Sequence, residues 1–239
     1  MDADADAPRE QRPSGPRLDA TSADGSREVA FGPLTLSFDE TCLIPRPWTI
    51  EQSRWVAAAA DVPSGPILEL CAGVGQIGMV AALLTGRSLV QVDRNPRACH
   101  WARINADRAG LADRVEIRHG DLDHAVNGGE RFAIIVADPP YVPSAEVDGF
   151  SDPQPTIDGG ADGLDLARRC MELAAGHLAL GGLLSLQLRG RAQVASLLEN
   201  YPGSEREGLR PDGVRSWGPD RAVAHFRAVA QCPSTGWGT

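Results

Sequence analysis

The chain has 239 residues, 32 acidic and 23 basic, for a net charge of −9, and every basic residue is arginine. The lack of lysine removes the Walker P-loop, pyridoxal phosphate chemistry and every Schiff-base mechanism. The acidic balance weighs against a protein that grips duplex nucleic acid by broad phosphate neutralisation, and no apolar run approaches the ~18 residues of a membrane span.

The first 28 residues are rich in Asp, Ala, Pro, Ser and Gly and have no apolar stretch of the kind a secretory signal needs. Residues 1–28 are therefore expected to be a disordered acidic tail on a cytoplasmic protein. Residues 29–60 read as an extension. Alternation at Leu34, Leu36 and Phe38 suggests a strand or hairpin, and Thr49 is placed to cap a helix starting "IEQSRW". From 61 to 239, strand and helix patterns alternate. "PILEL" is a strand to about Leu70, followed by a glycine loop and a helix. "SLVQVD" is a buried strand ending at Asp93, and Asn95 and Pro96 open a helix that Gly110 closes. "VEIRHGD" is a third strand, ending at Asp121, and "FAIIVA" is a fourth. The next loop, "VPSAEVDGFSDPQPTIDGG", has no periodicity and a length that usually marks function. An amphipathic helix, the strand "GGLLSLQLRG", another helix and an antiparallel pair about Gly218-Pro219 follow. The expected fold class is α/β, a doubly wound, mostly parallel seven-stranded sheet.

"ELCAGVGQIG" sets Gly73, Gly75 and Gly78 in GxGxxG spacing, with Asp93 at the end of the next strand. Such glycines let a ligand approach the backbone, and such an acid can hold ribose hydroxyls, which suits a nicotinamide cofactor as well as S-adenosylmethionine. Glu69 before the loop and Asp121 at the third strand end favour the cationic ligand of the two. The candidate cofactor-binding residues are Glu69, Ala72, Gly73, Gly75, Asp93, Asp121 and Leu122. The lesser alternative is that Asp93 and Asp121 merely cap helices. Five cysteines without a CxxC pair, and His119 and His124 without metal-ligand spacing, indicate neither a disulfide framework nor a metal site.

The fourth strand runs straight into "DPPY". Proline has no amide hydrogen for the ladder and forces an extended backbone, so the chain leaves the sheet stiffly at a strand's carboxyl end, where open α/β folds bind ligands. Asp138, Pro139, Pro140 and Tyr141 would then stand at the mouth of a pocket; the resemblance described next implies that they bind the substrate and that Asp138, Pro139 and Tyr141 are catalytic.

"ADPPYVP" with "ELCAGVG" resembles the class I S-adenosylmethionine-dependent methyltransferases, whose fourth strand ends in (N/D)PPY. "LIPRPWT", "DPQPTIDGGADGL" and "LALGGLLSLQL" resemble, in that order, segments of the HemK-type protein-glutamine N5-methyltransferases, which act on the GGQ loop of peptide-chain release factors. The resemblance covers Phe31 to Gly190. It implies a Rossmann-like fold, S-adenosyl-L-methionine as cofactor and a protein substrate such as a release factor. It also implies methyl transfer to an amide nitrogen that donates to the Asp138 side chain and the Pro139 main-chain carbonyl, against the flat wall of Tyr141. The chain departs from the family in having Asp138 for the usual Asn, Gln187 for Glu and Gln154 for Arg, and it reads as a short form without the family's N-terminal helical domain. DPPY also occurs in adenine-N6 methyltransferases, so a small molecule or an adenine amino group of nucleic acid remains the alternative acceptor. Nothing in the sequence indicates an oligomeric state.

Overall fold

The computed structural model describes Ser22, residues 25–200 and residues 208–230. The expected tail lies mostly outside the described residues. Its last two residues, Arg27 and Glu28, open β1 (Arg27–Phe31), two positions before the expected boundary at Val29. β1 pairs antiparallel with β2 (Leu34–Phe38) as a separate two-stranded sheet. A 3-10 turn over Pro47–Thr49 leads into α1 (Ile50–Ala57). Thr49 precedes that helix as expected but does not cap it. Its backbone is already helical, and its hydroxyl donates to the Arg46 carbonyl at 2.9 Å; a capping residue needs an extended backbone.

The central sheet is built from β3 (Ile67–Leu70), β4 (Leu89–Asp93), β5 (Val115–His119), β6 (Phe132–Ala137), β7 (Leu178–Leu188), β8 (Leu209–Ser216) and β9 (Ala222–Ala228), in the order β5-β4-β3-β6-β7-β9-β8. The first five in that order run parallel, and β9 is reversed against both β7 and β8. The connecting helices are α2 (Gln76–Thr85), α3 (Pro96–Arg108), α4 (Leu122–Ala125), α5 (Asp165–His177) and α6 (Gly190–Asn200). Every residue of β3 and β6 is buried, as expected for strands covered on both faces. Alternation then divides the core. Ile67, Ile134 and Val136 join the layer formed with α2, α3 and the hairpin, while Leu68, Ile135 and Ala137 join the layer formed with α5 and α6.

The chain winds outward from β3 through β4 to β5, then returns to place β6 on the other side of β3. The carboxyl ends of β3 and β6 thus flank a topological switch point, where such sheets open a crevice. The loop after β6 contains 3-10 turns over Ser144–Gly149 and Gln154–Thr156. It folds back on the DPPY turn: the Val142 N–H donates to the Ile157 carbonyl at 2.9 Å and the Gly159 N–H to the Val142 carbonyl at 2.8 Å. No helix of the described residues is long and apolar enough to cross a membrane.

Candidate active site

The glycine loop is held from below. Glu69 is 2 % exposed, and its two oxygens accept from the Gly78 N–H at 2.9 Å and from Gln91 Nε2 at 2.6 Å. A Cβ at Gly78 would overlap the Glu69 carboxyl, which is why the third glycine is needed. Asn105 of α3, 1 % exposed, donates to the carbonyls of Val74 and Ser37, each at 3.1 Å, and so ties the loop to the hairpin. Asp93 accepts from the Gly73 N–H at 2.7 Å and the Asn95 N–H at 2.8 Å. Burial pushes its carboxyl up, against those two amides.

Above the loop lies a cavity of about 680 Å³ whose wall includes Gly73, Gln76, Asp93, Asp121, Leu122 and Asp138. Of the sequence-derived cofactor residues, Gly73, Asp93, Asp121 and Leu122 are on this wall, while Glu69, Ala72 and Gly75 are not. Glu69 was expected to meet a cation directly. It is instead turned under the loop, and burial pushes its carboxyl up to about 8, so it is largely uncharged at neutral pH. Asp121 does cap α4, accepting from the Asp123 N–H at 3.4 Å, and it is also paired with Arg169, which holds its carboxyl below the usual range. Sequence reasoning missed Gln76, the residue directly after the motif's second glycine. Gln76 lines the cavity, and its Oε1 is buried without a partner among the described residues.

The residues fit S-adenosylmethionine. Gln76 Oε1 is an orphaned acceptor for an ammonium, Asp93 is a carboxylate for the ribose hydroxyls, and Gly73, at φ +54°, has nothing within 4 Å of where a Cβ would stand, so the ligand can approach the backbone there. Asp121 and Leu122 stand at the end of the next strand, where an adenine would reach.

A second cavity of about 400 Å³ opens at the ends of β6 and β7, and Leu43, Asp138, Pro140 and Thr156 line both. Pro139 and Tyr141 line only the second, so the structure brings all four DPPY residues to one junction. Asp138 accepts from Gln187 Nε2 at 2.6 Å. Burial pushes its carboxyl up to about 7, partly offset by Arg46, and burial together with Asp138 pushes the Tyr141 phenol well up. The turn is braced on both sides. Gln52 Nε2 donates to the Ala137 carbonyl at 3.2 Å, and Gln193 Nε2 donates to the Tyr141 carbonyl at 2.9 Å. Glycine is required at 159 and 163 because a Cβ at either would strike the Pro140 or Tyr141 carbonyl. Arg46 of "LIPRP" and Asp152 of "SDPQP" close one side through two bonds from Nη2, at 2.6 and 2.7 Å. Trp48 forms another side, with the Arg221 guanidinium 5.3 Å from its ring centre.

The strand order with its single reversed strand, the loop after β3 and the acid-tipped strands define a Rossmann-like methyltransferase fold. A crystallised methyltransferase from Pyrococcus furiosus superposes with a TM-score of 0.61 at 18 % identity, over 84 % of this chain and 91 % of that one. The chain belongs to the methyltransferase small domain family, whose model matches residues 54–206. It is 32 % identical over 186 residues to a release factor glutamine methyltransferase of Clostridium acetobutylicum, covering 73 % of this chain and 65 % of that protein. A ribosomal protein uL3 glutamine methyltransferase of Francisella tularensis is 31 % identical over 187 residues, covering 74 % and 58 %. The chain thus spans less than two thirds of the length of either relative.

Proposed function

We propose that the protein is an S-adenosylmethionine-dependent N-methyltransferase that methylates the side-chain amide of a glutamine in a protein of the translation machinery, a release factor or a ribosomal protein. The observation that carries this reading is the junction of the two cavities at Asp138, where a cofactor-sized space meets a second space floored by acceptors. The names of the two relatives support the amide as target, and a substrate of that class supports a cytoplasmic location. The cofactor, once bound, supplies an electrophilic methyl group on a sulfonium.

An amide nitrogen is a poor nucleophile because its lone pair is shared with the carbonyl, so catalysis consists of orienting it and accepting its hydrogens as charge develops. Asp138 and the Pro139 carbonyl are the acceptors, and the two prolines keep them in one arrangement. Tyr141 provides a flat face for the planar group. The Arg46–Asp152 pair and Trp48 shield the junction from water, and Phe150, 42 % exposed beside them, offers an apolar rim to an incoming chain.

The test is transfer of a tritiated methyl group to purified release factor with an intact GGQ loop, to ribosomal protein uL3 and to total RNA. Label on a glutamine amide, located by mass spectrometry, is expected. Label confined to RNA or to small molecules would remove the reading.

A further inference from the structure

Three arginines stand in or beside the second cavity, and two of them are paired. Arg46 holds Asp152, and Arg189 holds Glu146, with Asp220 3.7 Å away. Arg221, half-buried on the cavity wall, has no ion pair and no hydrogen bond from its side chain among the described residues. Its guanidinium lies over the Trp48 ring, and the neighbouring carboxylate, Asp220, is drawn to Arg189 instead. A guanidinium carries five N–H donors in one plane, and a partly desolvated cation without an oxygen to receive them is costly to hold. Trp48 meets the group through its ring, so the donors are left for a ligand.

The position of this cation is fixed. The Trp217 N–H donates to the Arg221 carbonyl at 2.9 Å, closing the turn between β8 and β9, and the Trp217 ring centre lies 6.5 Å from that of Trp48. The turn is pressed against the chain leaving β7, where a Cβ at Gly190, at φ +71°, would strike the Pro219 carbonyl. Along the wall, the Arg221 charge reaches the Tyr141 phenol and opposes its upward push, whereas the cation that acts on Asp138 is Arg46. Arg221 thus stands away from the place of the reacting amide and beside the exposed Asp220, at the outer part of the cavity.

We propose that Arg221 is a substrate-binding residue that takes a main-chain carbonyl oxygen next to the target glutamine, anchoring the acceptor's backbone at the cavity mouth while the side-chain amide reaches Asp138. This rests on the function proposed above and adds a feature of the substrate that the DPPY turn does not read, a peptide backbone as opposed to an isolated amide. Charge favours a carbonyl over a carboxylate. The wall already sets Asp138, Asp152 and Asp220 against Arg46 and Arg221, a balance that disfavours a further anion, while a neutral carbonyl flanks every glutamine in a chain.

The test is a cycle between enzyme and substrate. The substrates are a pentapeptide with a central glutamine and two analogues in which a trans-alkene replaces the peptide bond before or after that glutamine, keeping the shape and removing one carbonyl oxygen. Arg221→Met should lower kcat/KM on the parent peptide by about tenfold or more, the scale of one hydrogen bond to a charged group. The wild type should lose a similar factor on one of the two analogues, and on that analogue Arg221→Met should cost less than about twofold further. Calorimetric affinity for S-adenosylhomocysteine and the melting temperature should be unchanged. Where either falls, Arg221→Lys, which keeps a cation by Trp48 and gives up the planar fork, takes its place in the cycle. An equal loss on the parent and both analogues would make Arg221 a strut for the turn, and no loss on any would make it a bystander; either overturns the proposal. Should the wild type transfer no methyl to the parent peptide, the function proposed above fails, and the same cycle on the acceptor found by labelling decides Arg221 separately. A loss that vanishes when one peptide carbonyl of that acceptor is removed upholds the proposal, and an acceptor without a peptide backbone overturns it.

Discussion

The two cavities that meet at Asp138 are built differently. The larger is floored by one local run, the glycine loop, and by the ends of adjacent strands, with the segments after β2 and β6 and the start of α5 completing its wall and buried polar groups beneath the loop holding its geometry: Glu69, Gln91, Asn105 and the two amides on Asp93. The smaller is assembled from side chains distant in sequence, with Arg46 bonded to Asp152 and Gln187 to Asp138. A cavity of the first kind is preserved as long as the strand-loop-helix unit folds. One of the second kind changes character with single side chains, so acceptor choice can diverge while cofactor binding is kept.

The comparison predicts a clean division of mutational effects, and the largest falls at the junction. Asp138→Ala removes the proposed proton acceptor, and kcat should fall by about 10² or more, the scale of losing one preorganised transition-state partner. Affinity for S-adenosylmethionine, measured by calorimetry, should stay within about twofold because Asp93 and the loop are untouched. A comparable loss of affinity would mean that the two cavities are not separable. The converse is Asp93→Ala. It removes the proposed ribose acceptor and leaves the Gly73 and Asn95 amides without their partner, so cofactor binding should weaken by about 1–3 kcal/mol. At saturating cofactor, kcat should fall much less than in Asp138→Ala.

The same contrast explains what was legible in the sequence. Gly73, Asp93, Asp121 and the DPPY turn, all of them on the cavity walls, stood out as candidates because each is a short motif at a strand end, and a parallel sheet brings strand ends together. Glu69 was found for the wrong reason. Its position beside the loop is plain from spacing, but the alternation that turns it beneath the loop instead of into the cavity needs the packing of Gly78 and Gln91. Asp138 and Gln187 each stood out as a departure from the family pattern. That they form one hydrogen-bonded pair follows only from the pairing of β6 with β7. Arg46 and Asp152 lie 106 positions apart, a separation that no local periodicity can bridge. The loop after β6 read as structureless because its order comes from bonds to the DPPY backbone rather than from a repeating pattern.

A smaller effect, coupled to pH, is expected at the strap across the second cavity. With Asp138 pushed up to about 7, its carboxylate form, the proposed proton acceptor, is lost below that pH, so kcat/KM should fall about tenfold per unit on the acid side and level off above. Arg46 opposes the upward shift. Arg46→Ala should therefore move the acid limb to higher pH as well as raise KM for the protein acceptor a few-fold, with cofactor affinity unchanged. A limb that stays in place would detach Arg46 from Asp138. A limb that persists in Asp138→Asn would assign it to another group.

The smallest effect on binding belongs to Glu69, and there the pH dependence of stability is the sharper test. If the carboxyl contacted the cofactor's cation, Glu69→Gln would weaken binding by an order of magnitude or more, the scale of a hydrogen bond to a charged group. As a brace beneath the loop it can be replaced. The oxygen of the introduced amide still accepts from the Gly78 N–H, and a flip of the Gln91 amide turns its oxygen, unpartnered among the described residues, toward the introduced nitrogen at the cost of the Gln91 bond to the Gly75 carbonyl. Cofactor affinity should then change by less than about threefold. The native carboxyl, raised from 4.5 to about 8 by burial, binds its proton more tightly in the folded than in the unfolded chain. Its contribution to stability is therefore complete below about pH 4.5 and is lost as pH rises toward 8. Glutamine does not titrate, so the melting temperature of Glu69→Gln relative to wild type should climb between about pH 5 and pH 9. A difference that is flat across that range would show that Glu69 is ionised in the folded protein, and would restore it as a charge available to the cofactor cavity.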